Sequence, residues 1–293
     1  MLRDVLSNAE SKKVAVGHFN VSDLVGLKAI FTAAWGLKTP VLIGVSEGER
    51  EFLGVREIAM LVRGIREEYG FPIFLNADHT HSLEKVQEAA QAGFDEILFD
   101  GSKLSFEDNV KQTMQAVQIV KSVNPEIIVE GEMGYIGSSS EILKSTPEGA
   151  VLSPESFTKP DEAKQFVEET RVDVFAPAVG NMHGLLESMV TGKVKKHLDI
   201  ERIVAIKAAT GKFLTLHGGS GTEDHDFVRA VDAGMTIIHV STELRLAWRR
   251  GVEEGLRAHP DEIAPYKILP PALEGIRAIV EARLKLFNKI ALS

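Results

Sequence analysis

Apolar and polar positions along the chain fall into a repeating pattern. Eight short runs rich in Val, Ile, Leu and Phe alternate with longer segments of helical periodicity. They lie at Val14–Asn20, Pro40–Ser46, Pro72–His79, Glu96–Ser102, Ile127–Gly134, Val172–Gly180, Phe213–Gly219 and Thr236–Thr242. Near-continuous apolar runs are what parallel strands need when helices bury both their faces. Several helix starts are legible between them. Ser82 precedes a segment with Leu83, Val86 and Ala90 on one face, and Gly93 stops it. Ser105 with Asp108 makes a box-like start for a helix through Val120 that Asn124-Pro125 ends, and Thr158 with Asp161 repeats the device. Eight strand–helix units predict an α/β fold of the (β/α)8 TIM-barrel type, because an open doubly wound sheet usually has about five or six strands. The expectation is one barrel domain over residues 1–293 with a C-terminal helical extension.

In such barrels the active site lies at the C-terminal ends of the strands. Asn20, Ser46, Asp78, His79, Asp100, Ser102, Glu130, Glu132, His183, His217, Gly219, Ser220, Ser241 and Thr242 all fall at or just beyond predicted strand ends. They are therefore expected to converge on one mouth. A lone strand-end histidine is more often a hydrogen-bonded structural residue than a ligand. Three of them, His79, His183 and His217, on separate strand ends with carboxylates between, point to a metal site. Zinc and similar divalent ions favour imidazole nitrogen, and catalytic zinc takes three protein ligands with one position open. Asp100 and Glu132 are expected as further ligands or as groups that orient the imidazoles. His81 is the rival to His79, since residues two apart on a strand share a face; with Ser82 capping a helix, His81 is placed in the loop. Asp78 stands where a carboxylate can pass protons to and from a hydroxyl.

The segment His217-Gly218-Gly219-Ser220-Gly221 suggests a second role. Glycines let backbone N–H groups approach an anion, and the loops after the seventh and eighth strands are the usual phosphate site of these barrels. Ser241 and Thr242 would add hydroxyls from the eighth strand.

Composition narrows the ligand. A formal net charge of −9 with no Lys/Arg cluster argues against nucleic acid or an anionic membrane as main partner, which leaves a small molecule. The chain has no cysteine, so thiolate sites and disulfides are out. No stretch approaches the about 20 apolar residues of a membrane span, and the expected location is the cytoplasm.

At these residues the chain resembles the class II, metal-dependent fructose-bisphosphate and tagatose-bisphosphate aldolases, from about Val14 to the last helix. The blocks that carry the resemblance are Asp78-His79, Phe99-Asp100-Gly101-Ser102, Glu130-Gly131-Glu132-Met133-Gly134, His183-Gly184, His217-Gly218-Gly219-Ser220-Gly221 and Thr242-Glu243. The resemblance implies that His79, His183 and His217 bind Zn2+ and that Asp78 is the general acid/base at the C4 hydroxyl of a ketose. Gly184, Gly219, Ser220, Ser241 and Thr242 would hold the phosphate of dihydroxyacetone phosphate, and Asn20, Ser46, Gly218 and His239 join them as expected substrate contacts. It also implies a phosphosugar substrate and a homodimer or homotetramer. Three positions depart from the family pattern. His239 stands where an asparagine is common, and Pro265-Tyr266-Lys267 aligns with a stretch whose arginine binds the distal phosphate. The loop Tyr135–Glu141 offers Glu141 only near the position of a catalytic glutamate. Fructose 1,6-bisphosphate is the default substrate. Competing readings are a metal-dependent phosphosugar hydrolase and a phosphosugar-binding barrel without turnover. A Schiff-base aldolase is disfavoured, since no lysine ends a predicted strand and Lys207 falls in the helix before the seventh.

Overall fold

The computed structural model describes residues 1–137, 140–146, 153–191 and 194–291. Among them are strands β1 (Val16–Asn20), β2 (Val41–Val45), β3 (Ile73–Thr80), β4 (Glu96–Phe99), β5 (Ile128–Met133), β6 (Ile142–Leu143), β7 (Val174–Pro177), β8 (Leu185–Leu186), β9 (Phe213–Leu216) and β10 (Met235–Val240). Eight of them, β1-β2-β3-β4-β5-β7-β9-β10, close into a parallel barrel through the β10–β1 pairing, as the alternation predicted. The remaining two, β6 and β8, pair with each other in a small parallel ribbon above the barrel.

Except for β3, the strands are shorter than the apolar runs. Asp100, Ser102, Gly219 and Ser241 therefore sit in connecting segments just past their strands. Ser82 and Ser105 cap their helices as expected, accepting from the N–H groups of Lys85 and Asp108 at 3.3 and 3.1 Å. Thr158 does not. Lys159 is the cap residue of helix Pro160–Thr170, while the Thr158 hydroxyl donates to the Met133 carbonyl and accepts from the Ala178 N–H, joining the ends of β5 and β7. A short polar side chain that bridges two strands loses its local capping role to that tertiary bond.

The N-terminal end of the barrel is closed by helix Leu2–Ser11, whose Leu2, Leu6 and Ala9 pack on Val16, Leu42, Phe74, Ile128, Val174 and Ile237. No periodic signal in that segment stood out from the sequence. At the other end of the chain, helix Pro270–Phe287 packs against helices Leu24–Leu37 and Thr242–Ala258 and against β1. These contacts place it in the helical layer around the barrel.

One irregularity matters for the site. Ala77 pairs with Ile97 and Thr80 with Phe99, so β3 carries two residues, Asp78 and His79, where β4 carries one. This is a β-bulge, and His79 takes φ +41°. Successive residues of a regular strand face opposite sides. The extra residue turns both Asp78 and His79 to the mouth.

Candidate active site

A cavity of about 430 Å³ opens at the C-terminal end of the barrel. Its wall includes Asn20, Ser46, Asp78, His79, Asp100, Glu141, His183, Gly184, Gly218, Ser220, His239, Ser241 and Thr242, so most residues expected at the mouth do meet there. That volume suits a small phosphorylated metabolite. His217 and Glu132 are not on its wall; both are fully buried and approach His79, which is. Gly219 is the exception among the expected substrate contacts. Its N–H is taken by the His239 carbonyl at 3.1 Å, so it packs the loop against β10 and does not face the cavity. Ser138 and Ser139 of the loop before Glu141 lie outside the described residues.

The three imidazoles converge. Ring nitrogens of His79, His183 and His217 lie within 4.8 Å of one another. Two of the rings are oriented by carboxylates through their other nitrogen: His79 Nδ1 is 2.8 Å from Asp100 Oδ2 and His217 Nε2 is 2.7 Å from Glu130 Oε1. Ser102 in turn holds Asp100 with its hydroxyl and N–H. His183 Nε2 and His217 Nδ1 are buried with no partner among the described residues. Imidazoles anchored on carboxylates, with the inner nitrogen bare, are the arrangement that metal-binding histidines show. His81 is outside it. Its side chain is 48% exposed, and its Nδ1 meets the Asp100 carbonyl at 3.4 Å while staying 3.9 Å from the carboxylate.

Charge supports the same use. Burial, and then His79, push the His217 pKa down to about 3, and the same two causes lower His183. Both rings are neutral at pH 7 and able to donate a lone pair. Burial would lower His79 too, but Asp78 and Asp100 raise it well above its ordinary value, so the local field favours a cation there. Glu130 and Glu132 are pushed up, by burial first and by Asp78 and Asp100 next. A divalent ion at the histidines would relieve this crowding of buried carboxylates. The donor set fits one.

Asp78 differs from the other acids. Burial would raise it, yet His79, His18, His217 and the Asn20 bond outweigh that and hold it below the usual carboxylate range. Asn20 donates to Oδ2 at 2.9 Å, leaving Oδ1 without a hydrogen-bond partner, 3.7 Å from His79 Nε2 and 3.6 Å from His239 Nδ1. An ionised oxygen beside the three imidazoles, on a residue that lines the cavity, is placed to accept a proton. His239 stacks on His18 with ring centroids 3.4 Å apart and tilts against His217 at 3.9 Å. Gly44 makes room for that stack, since a Cβ there would lie 2.0 Å from the His18 ring.

The phosphate expectation also finds its parts together. Gly218, Ser220, Ser241 and Thr242 line one wall, at the N-terminus of helix Thr242–Ala258, where anions are favoured. The Ser241 hydroxyl is buried without a partner among the described residues. Gly218 holds φ +60°, and a Cβ on it would strike the Met182 carbonyl at 2.4 Å.

Comparison with known proteins agrees over the whole chain. The family model "Fructose-bisphosphate aldolase class-II" matches residues 1–291. The chain belongs to the class II fructose-bisphosphate aldolase family. It is 33% identical over 290 residues to "Probable fructose-bisphosphate aldolase" of Bacillus subtilis, covering 98% of this chain and 96% of that one. It is 32% identical, with the same coverage, to fructose-bisphosphate aldolase of Geobacillus stearothermophilus. The crystal structure of the YdjI aldolase from Escherichia coli K12 superposes with a TM-score of 0.81 at 25% identity, over 98% of this chain and 96% of that one. The protein is accordingly an aldolase, a carbon–carbon lyase, which removes the reading of a barrel without turnover.

Several working parts of this aldolase escaped sequence reasoning. The fully buried Arg50 donates to the carbonyls of Val45 and Asp78 and to the Thr80 hydroxyl, fixing the bulge. Glu49 accepts from Asn20, from the Ser46 hydroxyl and from Arg245. Arg245 is the lysine or arginine that lines the cavity among the described residues. Lys267 instead pairs with Glu262 at 2.8 Å, Tyr266 is 77% exposed, and neither touches the cavity. Only Arg245 had a readable signal, three residues past Thr242 on a helix starting at the mouth.

Proposed function

We propose that this aldolase is a zinc-dependent enzyme that reversibly cleaves fructose 1,6-bisphosphate, or a related ketose phosphate, to dihydroxyacetone phosphate and an aldehyde such as glyceraldehyde 3-phosphate. The observation that carries the reading is the convergence of three imidazoles, two of them anchored on carboxylates, beside an ionised Asp78 Oδ1 that has no hydrogen-bond partner among the described residues. His79, His183 and His217 would hold the ion, with Asp100 and Glu130 orienting two of them and Glu132 close behind His79 at 3.7 Å. Zinc suits three imidazoles and an open fourth position. A divalent ion held there supplies Lewis acidity to the oxygens that gain negative charge when the carbon–carbon bond breaks.

The chain's own groups do the rest. Asp78 removes the proton of the C4 hydroxyl, whose electrons form the new aldehyde carbonyl as the C3–C4 bond breaks. The C3–C4 electron pair passes to the C2 carbonyl oxygen, and a proton returns to C3. Glu141, exposed on the cavity rim, is our candidate for that second transfer. Gly184, Gly218, Ser220, Ser241 and Thr242 bind the phosphate, while Asn20, Ser46 and His239 face the sugar. A homodimer or homotetramer is the expected assembly, by resemblance to the family, and light scattering checks it.

The test is an assay of zinc-loaded protein with fructose 1,6-bisphosphate, tagatose 1,6-bisphosphate and fructose 1-phosphate. Release of dihydroxyacetone phosphate is expected. Release of inorganic phosphate in its place would establish hydrolysis and refute aldol cleavage.

A further inference from the structure

Lys196 lies in the segment between β8 and β9 and is 4% exposed. Its ammonium group is surrounded by four backbone carbonyls, those of Met182, Gly184, Gly218 and Ser220, at 2.5, 2.8, 3.1 and 2.6 Å. Burial pushes its pKa down to about 7, Glu243 opposes that only through space, and the four carbonyl oxygens are the acceptors that favour its charged form. The residue itself does not line the cavity, so it stands behind the loops and cannot be a Schiff-base nucleophile there.

The four carbonyls belong to two loops. Met182 and Gly184 bracket His183 in the loop after β7, and Gly218 and Ser220 bracket Gly219 in the loop after β9. A carbonyl turned toward a cation fixes its peptide plane, and two fixed planes on each side leave the residue between them little freedom. The opposite N–H groups of those planes are held as well: His183 by Ile136, Leu185 by Glu141, Gly219 by His239 and Gly221 by Glu243. The N–H groups of Gly184 and Ser220 make no protein bond among the described residues and lie on the cavity wall. Without a cation, four carbonyl oxygens would converge on one another and repel. A ring of carbonyls around a compact monovalent cation is the same donor set that takes potassium or ammonium ions elsewhere.

We propose that Lys196 is a tethered monovalent cation, a positioning residue that locks the loops after β7 and β9 into an anion cradle and adds positive charge behind the bound phosphate. The inference rests on the reading of that wall as the phosphate site. It explains why an acidic chain can bind a phosphate with no lysine or arginine among the glycine and serine residues of the wall. It also gives this buried lysine a function that its exclusion from the cavity would otherwise leave open.

Calorimetric titration of the zinc-loaded protein with inorganic phosphate and with dihydroxyacetone phosphate tests it, in Lys196→Met and Lys196→Ala beside the unaltered chain. Loss of charged contacts is expected to weaken both ligands about tenfold to a hundredfold. KM for the ketose phosphate should rise by a similar factor, with zinc content retained and kcat changed much less. In Lys196→Ala, which leaves room for an ion, excess ammonium or potassium chloride should restore most of the lost affinity. Tetramethylammonium chloride, too large for the cage, should not. The unaltered chain should respond to neither beyond ionic strength.

Unchanged phosphate affinity in a folded Lys196→Met protein would overturn the proposal, as would equal responses to ammonium and tetramethylammonium. Failure of both variants to fold, even with ammonium present, would make Lys196 a scaffold residue and overturn it too. If the unaltered protein binds phosphate yet cleaves no ketose phosphate, the proposed reaction fails, while the calorimetric comparison still decides the role of Lys196.

Discussion

The two ends of the barrel are built on opposite principles. At the N-terminal end, Leu2, Leu6 and Ala9 plug the strands with an all-apolar contact. At the C-terminal end, Asp78 Oδ1, His183 Nε2, His217 Nδ1 and the Ser241 hydroxyl are buried without partners among the described residues. Each such group costs about 1–3 kcal/mol of desolvation if it stays unpaired. A stable fold tolerates that only where something else supplies the missing partner, and the closed end supplies the stability that the open end spends.

The comparison can be broken most severely at the proposed metal position. His217→Ala should reduce zinc from one ion per chain to near none and abolish cleavage, measured by elemental analysis and product assay. His81→Ala should leave both intact; zinc retained at full occupancy in the His217 variant would refute the ligand assignment. Asp78→Ala comes next, with kcat lowered by roughly 10²–10⁴-fold while zinc and dihydroxyacetone phosphate still bind. A variant that raises only KM would make Asp78 a binding residue.

At the closed end, Leu6→Ala should cost about 2–5 kcal/mol in denaturant unfolding and leave kcat/KM unchanged below the transition. Any matching kinetic defect would show that the ends are not independent. Glu130→Gln and Asp100→Asn loosen the anchors of the imidazoles, and zinc affinity in competition with a chelator should fall about 10–100-fold in each. The smallest effect is expected for Arg245→Ala. Its guanidinium is already paired with Glu49 at 2.7 Å, so its loss should lower kcat/KM for fructose 1,6-bisphosphate by only about tenfold, and less for fructose 1-phosphate. Equal losses on the two substrates would remove Arg245 from the distal phosphate; a larger bisphosphate loss in Lys267→Ala would return that role to Lys267.

What the sequence discloses follows the range of the forces involved. The barrel was legible because burial on both faces imposes a run of apolar residues on each strand, and strand ends locate Asp78, His79 and His217 to within a residue or two. The helix caps at Ser82 and Ser105 were legible because they are local. Thr158 misled because its partners, Met133 and Ala178, are 25 and 20 residues away. The same distance hid the Glu130–His217 pair, 87 residues apart, and the Lys196 cage, whose carbonyls carry no side-chain signature at all. Gly219 was assigned to the substrate because a glycine-rich turn shows that a close approach occurs but not what is approached.

The bulge in β3 bears on how much chemistry a barrel mouth can hold. A pleated strand presents every second side chain to its interior, so eight strands ending at one level offer a fixed and small number of inward positions. Acid–base and metal-binding groups that must touch would ordinarily have to come from different strands, each with its own tolerance in placement. One inserted residue, held by Arg50 and taken up by His79 at φ +41°, lets a single strand contribute two adjacent functional groups. The spacing between the proposed proton carrier and the proposed metal ligand is then set by covalent bonds along one chain, and it survives small shifts of strand against strand that would disturb a pair drawn from two.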